Sequence, residues 1–149
     1  MNNNDLNIGC NNNSGSNSIA DILRVILILQ QNACPETCLD SCDRPMLGGG
    51  INCLICNTRP VMLYTCCGNG VPWAMPTTKD ATSGDDVTTS PVFRVEKLDG
   101  DAATFRVLIP NPDTTATTQP YVGTNSFFTM SLGCLCTIRC LNDTYIDCV

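Results

Sequence analysis

The chain has 149 residues, with 8 Lys and Arg against 14 Asp and Glu, no His and a formal net charge of −6. This length predicts one domain that buries a sizeable core, and the acidic balance lacks the positive field that phosphate backbones require, which excludes nucleic acid as an expected partner. The 12 cysteines predict either a disulfide framework from an oxidising compartment or metal sites from a reducing one.

The N-terminal sequence bears on the compartment. Its first 18 residues, MNNNDLNIGCNNNSGSNS, contain no Lys or Arg, whereas a secretory signal carries basic residues ahead of its apolar stretch. The apolar run 22–29 is interrupted by Arg24 and is much shorter than the roughly 20 residues of a membrane span, so membrane insertion is not expected. We therefore expect synthesis in a cytoplasm, although this cysteine content is typical of proteins that function outside one.

Residues 1–17 are rich in Asn, Ser and Gly and offer too little apolar surface to offset the entropy of ordering. We expect a disordered, Asn-rich arm there, followed by a single domain over 18–149. Cys10 on the arm is either a cross-link to a neighbouring chain or a spectator thiol, and the sequence does not decide between them.

A helix is predicted over about 19–32. Ser18 and Asp21 suit its first turn, because a hydroxyl and a carboxylate there accept hydrogen bonds from the free amides. The negative charge of the carboxylate also interacts favourably with the positive end of the helix dipole. The segment is apolar almost all round. This composition fits a helix sandwiched in the core and, equally, a helix that is partly buried against another subunit.

A cysteine-rich connection is predicted over 34–50. Cys34, Cys38 and Cys42 are four residues apart, so their side chains share a face whether the stretch is a short helix or extended chain. The three glycines at 48–50 end any helix there.

From residue 51 the sequence changes to short β-type runs between turn residues, which is typical of a sandwich or barrel. Loops are expected at 76–90 and 111–119. The fold class is therefore predicted as mainly β, an antiparallel β-sandwich over 51–149 with an N-terminal α-helix. The predicted strands are 51–58, 60–67, 91–98, 102–109, 125–132 and 133–141, with a short seventh at 144–148.

The hairpin around Gly100 allows a register to be predicted. A three-residue loop over 99–101 pairs Val95 with Phe105, whereas a two-residue turn would place Val95 opposite Thr104 and mix core with surface. Because burial of one face fixes register strongly, we predict the longer loop, with Gly100 or a neighbour in the left-handed region. The same register pairs Phe93 with Val107 and groups on the opposite face Arg94, Glu96, Thr104 and Arg106.

The segment 131–141, SLGCLCTIRCL, is predicted as a strand that carries three thiols. Successive side chains of a strand point to opposite faces. Cys134, Cys136 and Cys140 would therefore line a single face.

A zinc site is the main alternative use of the cysteines. Cys53-x-x-Cys56 followed by Cys66-Cys67 offers four thiolates, which suits a closed tetrahedral site. Within a strand, however, a separation of three places Cys53 and Cys56 on opposite faces, and no turn residue lies between them. A thiolate-rich zinc-binding domain of cytosolic origin is therefore kept as the second hypothesis, and no metal or other cofactor is predicted.

Catalysis is not predicted. A redox-active CxxC has its first thiol at a helix N-terminus, and Cys53 begins no predicted helix. A cysteine nucleophile needs a base such as histidine, and the chain has none.

Cross-linking is the use of the cysteines that remains. Thiols on the arm, on both faces of several strands and at the C-terminus cannot all pair within one fold, because a disulfide tolerates only a narrow range of Cα separations. Some are therefore expected to join neighbouring chains. The candidates for disulfides or cross-links are Cys10, Cys34, Cys38, Cys42, Cys53, Cys56, Cys66, Cys67, Cys134, Cys136, Cys140 and Cys148.

Four segments resemble a known family: PVFRVEKL at 91–98, AATFRVLIP at 102–110, SLGCLCTIRCL at 131–141 and CPETC at 34–38. They are similar to segments of the CotY, CotZ and ExsY family of cysteine-rich bacterial endospore coat and exosporium proteins, most strongly over 90–141. The resemblance implies a structural protein that self-assembles into homo-oligomers and extended lattices hardened by disulfides. Its location would be the spore surface, as coat, crust or exosporium, and its partners would be itself and other spore-surface proteins.

The resemblance also implies synthesis in the mother-cell cytoplasm without a signal peptide, followed by oxidation around or after lysis of that cell. Cys134, Cys136 and Cys140 match the C-terminal cysteine cluster of the family, and Cys34 and Cys38 match its N-terminal cluster. Family members often carry Cys and His at the turn after FRVEKL, where this chain has DGDA at 99–102. No cross-link or metal contact is therefore expected at that turn. We expect ring-like oligomers that tile into a lattice.

Overall fold

The computed structural model describes residues 18–33, 56–82, 86–116, 119–147 and 149. The predicted arm over 1–17 and the cysteine-rich connection over 34–50 lie outside the described residues, as does most of the first predicted strand. The elements are α1 Ser18–Ala33, β1 Val61–Thr65, β2 Met75–Pro76, β3 Thr89–Ser90, β4 Val92–Asp99, β5 Ala102–Pro110, β6 Tyr121–Ser131 and β7 Leu135–Cys140.

Five of the strands form one antiparallel sheet in the order β6-β5-β4-β1-β7, and β2 pairs with β3 in a small ribbon. A mainly β fold with an antiparallel sheet and one N-terminal helix is confirmed. In the part of the chain that the structure describes, the layer over the large sheet is α1, which packs mainly against β4 and also contacts β7. No helix among these residues is long and apolar enough to cross a membrane.

The large sheet is strongly rolled. β6 and β7 occupy opposite edges of the strand order, yet only three residues separate Ser131 from Leu135. Four steps between consecutive Cα atoms span at most about 15 Å, whereas the edges of a flat five-stranded sheet lie roughly 19 Å apart. The two edges therefore approach each other at this end, and the roll encloses the core.

The main core lies between α1 and the concave face of the sheet. Leu23 and Ile26 of α1 are fully buried there, with Val95 and other residues of β4 and β5. Full burial of a Leu or Ile side chain stabilises by about 1.5–3 kcal/mol. Three aromatic rings complete this core, since Phe128 lies 4.7 Å from Phe93 and 5.3 Å from Phe105 between ring centroids.

One buried polar side chain fixes the C-terminal end of α1. Gln30 donates a hydrogen bond to the backbone oxygen of Val95 at 2.8 Å and accepts one from the amide of Arg59 at 3.1 Å. A buried amide costs free energy unless it is paired, and here both ends of it are satisfied. Gln30 therefore joins the helix to β4 and to the residues that lead into β1.

The other face of the sheet is covered by the C-terminal segment. Ile146 packs with Val92 and Leu108 in a second apolar cluster. Asn57 holds it there, since its side chain donates to the backbone oxygen of Ile146 at 2.8 Å and accepts from the amide of Ile146 at 2.9 Å. The predicted strand at 144–148 is wrong over its described residues 144–147, of which only Thr144 forms a bridge, to Thr58.

The hairpin prediction is right about register and wrong about the turn. Val95 pairs with Phe105, and Phe93 pairs with Val107, as predicted. The turn contains two residues, since Asp99 pairs with Ala102, and Gly100 has the expected positive φ of 59°. A bulge at Glu96 absorbs the extra residue, which restores the register that buries one face.

The two predicted loops differ from the structure at their ends. β2 and β3 pair at the two ends of the predicted 76–90 loop, with Met75 opposite Ser90. The 111–119 loop is confirmed in its described part, although β6 starts at Tyr121, four residues before the predicted strand.

Candidate cross-linking site on the edge strand

The segment predicted as one strand over 131–141 is divided in the structure. Ser131 ends β6, residues Leu132–Cys134 form a 3₁₀ turn, and β7 begins at Leu135. The amide of the buried Leu132 donates to the backbone oxygen of Asp101 at 2.8 Å, which holds the turn against the β4–β5 hairpin. The chain has to turn here because β6 and β7 belong to different edges of the sheet, so the prediction is wrong over 132–134.

The structure places a disulfide between Cys66 and Cys136. Their Cα atoms are 4.9 Å apart, and their sequence separation is 70. The amide of Cys66 donates to the backbone oxygen of Cys134 at 3.1 Å, so the residues after β1 stay beside the start of β7. This bridge joins two neighbouring strands that the sequence does not connect locally.

A bulge explains how Cys136 meets Cys66. Tyr64 pairs with Thr137 and Thr65 pairs with Leu135, so Cys136 is the extra residue between them. A bulge interrupts the alternation of side chains. The predicted ladder of three thiols on one face therefore does not extend through Cys136 to Cys134, which lies in the 3₁₀ turn.

The other described cysteines are not consumed by that bridge. Cys140, the last residue of β7, is exposed and has no disulfide partner among the residues that the structure describes. Cys56 and Cys134 are half-buried thiols, again without a disulfide partner within the described ranges, and Cys67 is exposed. The remaining candidates lie outside the described residues: Cys10, Cys34, Cys38, Cys42, Cys53 and Cys148.

The residues of the zinc alternative are only partly placed. Cys66 is bonded to Cys136 and does not group with Cys56. Across the described ranges, no group of three or more His, Cys, Asp or Glu side chains is arranged to hold a metal ion. Cys53 belongs to the part of the chain that is not described.

A carboxylate between two arginines stabilises the region next to the edge strand. Glu96 contacts the guanidinium groups of Arg94 and Arg106, both at 2.8 Å. The buried Arg94 also donates to the Thr58 hydroxyl at 2.9 Å. The predicted grouping of these charged side chains on one face of the hairpin is confirmed, and its role is to join β4, β5 and the residues before β1.

A second ion pair lines an open cavity at the C-terminal end of α1. Arg59 contacts both carboxylate oxygens of Asp143, at 2.6 and 2.8 Å. This hydrogen bonding lowers the pKa of Asp143 and raises the pKa of Arg59. The cavity has a volume of about 330 Å³, and Leu29, Gln30 and Cys56 are among its lining residues.

The comparison with known families decides what kind of protein carries this arrangement. A family model described as spore coat protein Z matches residues 8–143. The chain belongs to the spore coat protein Z family. Its role is therefore that of a spore coat protein, located at the spore surface, and the resemblance inferred from the four motifs is confirmed. No curated protein and no solved structure matches the chain.

The family match extends beyond the motifs. It includes residues 8–17 of the arm and the segment 53–67, which the motifs alone do not align. Every cysteine except Cys148 lies within the matched residues. The structure adds the pairing of Cys66 with Cys136, which spacing alone does not predict because twelve cysteines permit a very large number of pairings.

Proposed function

We propose that this spore coat protein is a structural, non-catalytic subunit that assembles with copies of itself into ring-like oligomers and an extended lattice, which disulfides then lock. The observation that supports the proposal is that some cysteines are bonded within the chain while another is a free thiol. One pair, Cys66 and Cys136, stabilises the fold from within, whereas the exposed Cys140 stays a thiol at the edge of the sheet. A thiol in that position is accessible to a neighbouring chain.

The outer face of α1 supports assembly without sulfur. Ile22, Val25, Ile28 and Leu29 are between 42% and 55% exposed, although they are large and apolar. Contiguous exposed apolar side chains are typical of protein–protein contacts. Of the two environments considered for this helix, partial burial against another subunit is the one that these exposures favour.

The sheet edges offer a second non-covalent route. β6 and β7 each have a strand partner on one side only among the described elements. An open edge presents unpaired N–H and C=O groups that pair readily with another strand. We propose that such contacts position the subunits first and that interchain disulfides then make the layer resistant to dilution and detergent.

Electron microscopy and gel electrophoresis of the purified full-length protein test this function together. We expect rings or an ordered lattice by microscopy, and high-mass material on non-reducing gels that collapses to the monomer when a thiol reductant is added. A variant with every cysteine replaced by serine should still assemble but should dissociate in detergent.

The zinc hypothesis predicts a different result in the same samples. A soluble monomer that releases about one or two zinc ions when treated with a thiol-reactive mercurial would replace the proposed function. Other spore-surface proteins are proposed as further partners, because exposed thiols and open edges also accept chains of other kinds.

A further inference from the structure

The edge strand β7 carries both a free thiol and one cysteine of the disulfide. Cys136 and Cys140 both lie on this strand, four residues apart, and both are exposed. Cys136 is bonded to Cys66, whereas Cys140 is a thiol. Among the strands that the structure describes, β7 pairs with β1 alone. A second copy that pairs with β7 therefore meets its backbone groups, a thiol and one half of a disulfide on the same strand.

Antiparallel pairing of two β7 strands has a register that matches these groups. When Ile138 of one copy lies opposite Ile138 of the other, Cys140 of each copy lies opposite Cys136 of the second copy. Residues directly opposite in an antiparallel pair have Cα atoms about 4.5–5.5 Å apart, which lies within the range of roughly 4.4–6.8 Å that a disulfide accepts. The separation of the Cα atoms therefore permits a disulfide between Cys140 of one copy and Cys136 of the other.

The charge of Arg139 favours this register over the neighbouring one that is centred on Arg139. The register centred on Ile138 places Arg139 of one copy opposite Thr137 of the second copy, whereas a register centred on Arg139 would oppose two like charges, which is destabilising. It pairs Cys136–Cys140 of one copy with the same residues of the other and places Leu135 opposite Leu141, which follows the strand. A register centred on Thr137 instead brings Cys140 opposite Cys134, which precedes the strand in the 3₁₀ turn.

We propose that two copies dock through their β7 edges and become covalently joined by thiol–disulfide exchange between Cys140 of one copy and the Cys66–Cys136 bridge of the other. This inference rests on the proposed self-assembly and names the surface and the sulfur atoms that lock it. The internal bridge then has two uses. It holds β1 beside β7 in the monomer, and it supplies the disulfide that the assembled layer keeps.

The exchange is balanced without an oxidant. The deprotonated Sγ of Cys140 attacks the Sγ of Cys136 in the second copy, and the bond between Cys136 and Cys66 of that copy breaks. Cys66 leaves as a thiolate and takes up from water the proton that Cys140 had released. One disulfide is lost and one is formed, so the number of thiols stays constant.

Isotope mixing tests the link directly. One sample of the full-length chain is labelled with ¹⁴N and another with ¹⁵N, and each is oxidised at low concentration to form the internal bridge. The oxidant is then removed, and the two samples are mixed and concentrated under argon. After the thiols are blocked with N-ethylmaleimide at acid pH, trypsin cleaves after Arg139 and separates Cys136 from Cys140. We expect hybrid-mass peptides that join Cys136 to Cys140, blocked Cys66, and a constant thiol count.

Two variants define the expected loss. Cys140→Ser should abolish the hybrid peptide and leave the Cys66–Cys136 bridge intact. Cys134→Ser is the matched control, since it removes a thiol from the neighbouring turn and should leave the link unchanged. Hybrid peptides that join Cys140 to Cys134, or cross-linked protein in which Cys140 is recovered blocked, would overturn the inference.

Charge substitutions at the exposed Thr137 test the register without changing any cysteine. Thr137→Glu places a carboxylate opposite Arg139 of the second copy and should speed cross-linking about threefold, whereas Thr137→Lys should slow it by a similar factor. If pairing is instead centred on Thr137, the substituted residue of one copy faces the same residue of the other. Both substitutions then bring like charges together, and both should slow the cross-linking. That outcome would contradict the proposed register.

The result separates this inference from the proposed function. A lattice seen by electron microscopy in which no Cys136–Cys140 link forms would overturn the exchange and leave the function standing. A dimer that carries the link but never grows would contradict the lattice and support the exchange.

Discussion

The β4–β5 hairpin and the β1–β7 pair are both antiparallel and both contain a bulge, but they are stabilised differently. The hairpin is local in sequence, and its paired residues include the fully buried Phe93 and Phe105. The β1–β7 pair joins segments about 70 residues apart, and much of β7 is exposed. The comparison indicates that apolar burial stabilises the centre of the sheet, while sulfur stabilises its edge.

The largest expected effect is on the central strands. Phe105→Ala removes a fully buried ring that contacts Phe93 and Phe128. We expect it to lower the free energy of unfolding by about 3–5 kcal/mol in urea denaturation. Phe127→Ala is the control, because that ring is 47% exposed over Arg106, and its effect should stay below about 1 kcal/mol. Equal losses in the two variants would contradict a core centred on β4 and β5.

The stability of the β1–β7 pair should depend on the disulfide instead. Replacing both Cys66 and Cys136 by serine is expected to destabilise the oxidised protein by about 2–4 kcal/mol. Hydrogen exchange should show the loss of protection concentrated in β1 and β7, with β4 and β5 nearly unchanged. The same replacement should have no effect under reducing conditions, and protection lost evenly over the sheet would contradict the division between centre and edge.

The charged group beside the hairpin sharpens the comparison. Glu96→Gln leaves the buried Arg94 guanidinium without its carboxylate. This loss is expected to cost about 2 kcal/mol, less than the roughly 3–5 kcal/mol of a fully buried pair, because Glu96 is partly exposed. Lys97→Gln is the matched control, since Lys97 is the exposed neighbour. A loss no greater than in the control would show that Glu96 is only a surface residue.

The smallest expected effect on stability comes from the ion pair between Arg59 and Asp143, which flanks the β1–β7 pair. The pKa of Asp143 is lowered by its hydrogen bonds from Arg59, so its contribution is present above the ordinary carboxyl pKa of about 4 and is lost as the pH falls through the lowered value. Because both side chains are more than a third exposed, the contribution should stay below about 1 kcal/mol.

Urea denaturation between pH 6 and pH 2 measures the contribution of this ion pair to the free energy of unfolding. Asp143→Asn should remove that part of the pH dependence and leave the rest of the acid unfolding profile unchanged. An unchanged profile in the variant would show that the pair contributes nothing to folding stability.

The sequence predicts the local part of this fold well. The alternation in β4 and β5 fixes the register of the hairpin because only one register buries Val95 opposite Phe105. The helix over Ser18–Ala33 is confirmed to within a residue at each end, since its apolar residues are contiguous and its first turn carries Asp21. Both features depend on neighbours in the sequence.

The non-local part could not be predicted in the same way. The bulge at Cys136 depends on pairing with β1, and the bond to Cys66 depends on which segments the sheet brings together. Gly133 is the one local signal that could have divided the predicted strand at 131–141, because glycine inside a strand often marks a break in it. Which cysteines form the disulfide could therefore be known only once the order of the strands in the sheet was known.

Sedimentation of the purified full-length protein, before and after addition of a thiol reductant and detergent, tests the central claim most directly. Assembly followed by disulfide locking predicts large particles that survive detergent when oxidised and fall apart in detergent once reduced. A single 16.0 kDa species in native buffer, with all of its thiols satisfied within one chain, would contradict the account.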